Sequence, residues 1–539
     1  MPADAPPHMA SARSAKPRNY LRKHVFKVHF AQKIHKLFAQ TYLKKYLCAE
    51  NLYTMKETLI GREFETERLT EYLASDRSEF IAVYGRRRVG KTFLVRQVCE
   101  DRFAFYVTGM YNATKPDQLT NFAMAMQRCF GTETIKIEKN WLLAFNALAQ
   151  SIEKMPKGRK IIFIDELPWM DNAKSGFIPA LENFWNSWAA LRDDVKLIVC
   201  GSATSWMINN LIHSKGGLHG RLTHQILVEP FCLYDCERYF THFGFKYSRR
   251  QMAECYMVTG GIPYYLSLMD KSLSLAQNID ALFFRKDSEL RDEFSALYRA
   301  LFKKPEPYIA VVTTLAEVGK GMTRQELVRK AGLTDNGAFS SVLEELEQCG
   351  FIRSYLPFGA SSPSSGSRLP KDTLFQLVDF FTMFYFTFIQ KNRYHDSQFW
   401  SHSANSPTHN TWAGLAFEKL CLAHLPQMKQ RLGISGVQTN ACSWSSKRAS
   451  QKAQIDLLID RKDETINLCE MKFSRSEYEI DNAQEQKLNH RIEVFQDETH
   501  TSKSIILTLV TTEGLKRNSH SDIIQSLIVL NDLFAPEYR

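Results

Sequence analysis

Phe80-Ile-Ala-Val-Tyr-Gly85-Arg86-Arg87-Arg88-Val89-Gly90-Lys91-Thr92-Phe93-Leu-Val-Arg96 governs how the rest of this chain of 539 residues is read. An apolar run enters a glycine, four residues lead to a second glycine, and Lys-Thr precedes a helical pattern. That order predicts a buried strand, a tight loop and a helix start. Glycines let such a loop turn its N–H groups inward, and the helix N-terminus adds a dipole that favours anions. The stretch from Gly85 to Phe93, including Arg86, Arg87, Arg88, Val89 and Gly90, is therefore expected to cradle the phosphates of ATP. Lys91 is expected to reach the β- and γ-phosphates, and the Thr92 hydroxyl to ligate Mg2+.

Outward from this loop, strand-like runs recur at 80–84, 103–108, 160–164, 195–200 and 225–228, with helical patterns such as 118–129 and 141–154 between them. Near-continuous apolar strands alternating with helices predict an α/β fold whose parallel sheet is covered on both faces. The run at 160–164 ends in Asp165 and Glu166. Asp165 is expected to hold the metal through water, and Glu166 to polarise the attacking water. One strand-like run lies between loop and acids, as in P-loop ATPases whose two motif strands are separated by another. At the end of 195–200, Ser202 or Thr204 could sense the γ-phosphate, with a plain strand-end turn as the alternative. Arg221, just before the fifth run, could serve as an arginine finger in cis or across a subunit contact, or be an ordinary surface residue.

Residues 233–301 read as helices broken at Gly260-Gly261-Ile262-Pro263. Residues 308–316, 324–331 and 336–348 read as three further helices, followed by a strand at 351–356. The Ser/Pro/Gly stretch 359–370 reads as a wing tip or linker. The apolar run 375–389, interrupted by Gln376 and Asp379, is short for a membrane span and is expected to be one buried helix. Beyond Trp412 the pattern is helix, hairpin, helix, strand (504–510) and a last helix. Between Ala5 and Ala49 there is no Asp or Glu while Lys and Arg recur, so residues 1–54 read as a basic extension.

Gly61-Arg62-Glu63, the glycine loop, Ile164-Asp-Glu-Leu-Pro-Trp169, Gly220-Arg221 and Thr259-Gly-Gly-Ile-Pro-Tyr-Tyr-Leu266 together resemble prokaryotic AAA-type ATPases related to STAND ATPases. Leu377-Val-Asp-Phe-Phe381 and Trp412-Ala-Gly-Leu-Ala-Phe-Glu418 extend the resemblance almost to the C-terminus. It implies a P-loop ATPase core (55–232), a helical lid (233–301), a winged helix-turn-helix (302–370), a helical connector (371–411) and a C-terminal α/β domain (412–539). That last domain resembles the restriction-endonuclease-like PD-(D/E)XK fold.

In that C-terminal region, a turn centred on Asp463 puts Asp456 opposite Glu470, with Lys472 on the same face and Glu418 on the preceding helix. Carboxylates of this kind with a lysine could hold Mg2+ or Mn2+ and position water for phosphodiester attack. The rival acid-x-lysine triplets, 460–462 and 485–487, read as turn and helix surface. Alternatively, the acids merely pair with Lys472 in a binding module. A net charge of +11 permits DNA as partner, and eleven scattered cysteines without paired knuckles argue against a zinc site. A cytoplasmic location, no membrane span and a homo-oligomer complete the expectations. Two functions remain open: an ATPase controlling a metal-dependent nuclease on DNA, or an ATP-gated switch whose C-terminal parts bind nucleic acid or protein without cutting.

Overall fold

Apolar strands flanked by helices need cover on both faces, and the chain builds a sheet that supplies it. The computed structural model describes residues 59–537 apart from 132–135, 173, 214–215, 361–369, 447 and 449–452. The basic extension 1–54 and most of the 359–370 stretch lie outside the described residues.

Five parallel strands, β1 (Glu79–Tyr84), β2 (Phe105–Thr108), β3 (Lys160–Asp165), β4 (Val195–Gly201) and β5 (His224–Leu227), lie in the order β2-β3-β4-β1-β5. β4 thus separates the glycine-loop strand from the acid strand, whereas the run 103–108 that lies between them in sequence forms the edge strand β2. Because all five strands run the same way, the turns after β1, β3 and β4 meet at one edge of the sheet. Phe80, Phe105, Ile162 and Leu197 are buried against Trp141, Phe145, Phe177 and Phe184 from the covering helices.

Helices follow at Leu233–His242, Arg249–Thr259, Pro263–Ser267, Leu275–Phe283 and Glu293–Leu301. Their ends are written locally. Ser248 and Ser274 form capping boxes with Gln251 and Gln277, and Gly260 at φ +64° closes the second helix. Helices Glu306–Val318, Arg324–Ala331 and Gly337–Gln348 then pack with a small antiparallel sheet of β6 (Met322–Thr323), β7 (Ile352–Tyr355) and β8 (Leu374–Leu377), ordered β6-β8-β7. The run 375–389 is not one helix. It begins in β8, and Asp379, accepting from the Thr382 N–H at 2.9 Å, starts the helix Phe380–Phe384 only afterwards. Among the described residues no helix is long and apolar enough to cross a membrane.

The helix Pro407–Ala423 starts ahead of Trp412, where Ser406 accepts from the His409 N–H at 3.1 Å. A second sheet follows, made of β9 (Thr439–Ser445), β10 (Gln454–Arg461), β11 (Thr465–Lys472), β12 (Ser504–Thr511) and β13 (Ser526–Val529), in the order β13-β12-β11-β10-β9. The helix Asn482–Thr499 links β11 to β12. Two expectations need correction here. β9 was not foreseen, and a strand, 526–529, pairs in parallel with β12 ahead of the last helical element, which is only the short 3-10 turn Leu530–Phe534. The buried His424 ties this region back to the first helices: its Nε2 accepts from the Leu233 N–H and its Nδ1 meets the Leu420 carbonyl, each at 2.9 Å.

Candidate active site

The loop after β1 adopts the shape its glycines allow. Gly85 sits at φ +138°, and a Cβ there would lie 2.2 Å from the Val228 carbonyl oxygen, so only glycine fits against the end of β5. Gly90 (φ +92°) is the N-cap of the helix Lys91–Cys99. That helix places Lys91 in a buried position, where desolvation pushes its ammonium down against the pull of Glu166 and Asp165. The Lys91 Nζ donates to the Arg86 carbonyl at 2.8 Å.

Thr92 donates its hydroxyl to Asp165 Oδ2 at 3.0 Å, while Asp165 Oδ1 accepts from the Glu166 N–H at 2.9 Å. Burial raises the pKa of both acids, and for Asp165 the Thr92 bond pulls the other way. Glu166 has φ +47°, uncommon for a residue with a side chain and a form of local strain. Ser202 at the end of β4 holds its carboxylate, through the backbone N–H at 3.2 Å and the hydroxyl at 2.8 Å to Oε2. Thr204, the other expected sensor, is buried with its hydroxyl unpartnered among the described residues.

The side chains of Arg86 and Arg88 are engaged elsewhere in the fold. They form ion pairs with Asp379 at 2.6 Å and Glu293 at 2.7 Å, because these buried carboxylates neutralise them. Only their backbone stays with the loop. Arg87 has no such pair among the described residues. Arg221 is exposed and follows a turn that enters β5 at Thr223, whose N–H meets the Phe80 carbonyl at 2.9 Å. Thr223 thus stands beside Phe80 at the start of β1, roughly five residues or about 17 Å of strand from Gly85, and Arg221 precedes it by two residues. That register sets its backbone toward the end of β1 away from the phosphate loop. The apolar run marks Cys200 as a buried thiol but not its place beside Asp165, where burial pushes it well above its ordinary range.

In the C-terminal sheet, β10 and β11 pair up to Leu457↔Cys469, so the register carried one residue further sets Asp456 opposite Glu470. Glu470 is held by Lys472 Nζ at 2.7 Å and by Arg491, a residue from the helix Asn482–Thr499 that sequence reasoning missed. Asp456 accepts from Gln454 at 2.6 Å. Burial, with Asp456 and Glu470 nearby, pushes Glu418 up to about 7, and burial pushes the adjacent Lys419 down to about 8. Among the described residues no group of three or more His, Cys, Asp or Glu could hold a metal ion. Glu418, Asp456 and Glu470, the expected metal set, do not form such a group, and Glu470 pairs with two cations. The rival Asp460 pairs with Lys503 at 2.7 Å, and Glu485 with His520 at 2.6 Å.

Residues 59–269 match the family model of an ATPase domain predominantly from Archaea. The matched segment contains the loop, the acid pair and Ser202. An uncharacterized protein of Methanocaldococcus jannaschii, MJECL04, is 27% identical over 373 residues, spanning 69% of this chain and 78% of that protein. Among solved structures, the Walker-type ATPase PABY2304 of Pyrococcus abyssi aligns with 61% of this chain and 96% of its own, at 16% identity and a TM-score of 0.43. The ORC2 protein of Aeropyrum pernix aligns with 65% of this chain and 96% of its own, at 12% identity and a TM-score of 0.39.

Proposed function

We propose that the ATPase domain binds MgATP at Gly85 to Thr92 and hydrolyses it, and that the nucleotide state sets the disposition of the C-terminal half toward DNA. The observation that carries this reading is the Thr92 hydroxyl 3.0 Å from Asp165, with Glu166 next in sequence and held by Ser202. A hydroxyl and a buried carboxylate suit a magnesium ion, which supplies positive charge where the phosphates develop negative charge. Lys91 binds the phosphates, the loop N–H groups orient them, and Glu166 orients the attacking water and receives its proton. Phosphate release by the full chain, measured with ATP and Mg2+, tests this. No release above buffer overturns it.

For the C-terminal half, the pairing of Glu470 with both Lys472 and Arg491 supports a binding module of PD-(D/E)XK type over a nuclease. The helix and strand order from Glu306–Val318 to Leu374–Leu377 supports a winged helix as the second DNA contact. Metal-dependent cutting is the competing reading. A DNA-binding and DNA-cleavage assay with and without ATP, Mg2+ and Mn2+ separates them: retention of intact DNA supports the module, and cutting lost in Asp456→Ala supports the nuclease. The remoteness of Arg221 from its own loop supports a homo-oligomer in which it reaches a neighbour's nucleotide.

A further inference from the structure

A phosphate loop must keep a fixed shape before its ligand arrives, and this one includes three residues at positive φ, Gly85, Gly90 and, the one with a side chain, Arg88 at φ +70°. Such backbone persists only where its surroundings determine it. The charged part of the surroundings comes from beyond the matched segment 59–269. Arg86, with its guanidinium 4.8 Å above the Phe351 ring, pairs with Asp379, whose other oxygen caps the helix Phe380–Phe384. The Val378 and Asp379 N–H groups both donate to the Phe351 carbonyl, at 3.0 and 3.2 Å, so ring and carboxylate form one support. Arg88 pairs with Glu293, which also accepts from the Tyr265 hydroxyl at 2.8 Å, and its guanidinium lies 4.3 Å from the Tyr264 ring. The carbonyl of the clamped Arg86 is also the acceptor for Lys91 Nζ.

We infer that Asp379 and Glu293 are positioning residues of the nucleotide site: through Arg86 and Arg88 they hold the loop in the form that receives the β-phosphate. The inference rests on the MgATP reading above. It makes phosphate recognition depend on residues well beyond the end of the matched domain, and it gives bound nucleotide a direct handle on the segment that leads to the C-terminal half.

The test compares ADP and AMP affinities of the full chain by calorimetry, since only ADP carries a β-phosphate. Absence of ADP binding by the unaltered protein would sink the MgATP reading itself. With that binding in hand, Asp379→Asn, which keeps a good helix cap, should lower the preference for ADP over AMP by about fivefold or more. A purely structural role would weaken both nucleotides together, and a smaller change in preference overturns the inference. If the uncompensated Arg86 prevents folding, the paired Arg86→Met, Asp379→Leu protein, which buries no charge there, is read by the same criterion. Hydrogen exchange on the unaltered protein gives a second reading: ADP should slow the amides of 378–382, and unchanged exchange there overturns the inference.

Discussion

Ser202 donates both its backbone N–H and its hydroxyl to one carboxylate, that of Glu166, at 3.2 and 2.8 Å. The acid expected to activate water is therefore oriented by the neighbouring strand end. Glu166→Gln should retain ATP affinity while hydrolysis falls about a hundredfold or more, as loss of a positioned base does. Ser202→Ala leaves the acid but frees it, and should cost about tenfold in turnover with little change in ATP affinity. Steady-state phosphate release and equilibrium binding measure both; normal turnover in Glu166→Gln would assign the water to another group.

Lys91 is buried, and its removal subtracts the charge that the proposed mechanism sets against the phosphates. Lys91→Ala should abolish ATP binding or hydrolysis while circular dichroism stays unchanged. A folded variant with full turnover would remove Lys91 from the site.

Arg221 tests the oligomer. Mixing Arg221→Ala with Lys91→Ala should recover part of the activity, since each protein offers what the other lacks. No recovery, with full activity of Arg221→Ala alone, returns Arg221 to the surface.

Two groups give opposite pH dependences. Glu418 keeps its proton in the folded protein up to about pH 7, whereas its ordinary value is 4.5. The folded state holds the extra proton in between, so this group lowers stability as pH rises from about 4.5 to about 7. Glu418→Gln should flatten that decline in urea unfolding curves.

His424 is pushed down to about 4 by burial, from 6.5. The unfolded chain takes up its proton first, so stability is fully present above about pH 6.5 and falls as pH drops toward 4, by roughly 3 kcal/mol. His424→Gln, which can still accept from the Leu233 N–H, should lose this acid sensitivity. An unchanged acid limb would show that other groups dominate it.

The nucleotide site was legible in the sequence because its residues are contiguous: the strand, Gly85 to Thr92 and Asp165-Glu166 each carry their geometry locally. What escaped notice depends on distant partners. Nothing near Arg86 announces Asp379, and nothing near Glu470 announces Arg491. β9 escaped because Thr439–Ser445 is largely polar with only Cys442 and Trp444 buried, so it lacks the apolar run that marked the other strands. The run 375–389 misled for the opposite reason: apolar content hid the point where Asp379 turns strand into helix.

The bond from the Leu233 N–H to His424 bears on how this protein can be taken apart. A fragment cut at residue 269, where the family match ends, would keep Leu233, Arg86 and Arg88 but strip away His424, Asp379 and Glu293. It would expose a helix end and leave two guanidiniums facing vacated ground. A boundary drawn by homology alone therefore cuts through a buried hydrogen bond and two buried ion pairs that the full chain closes.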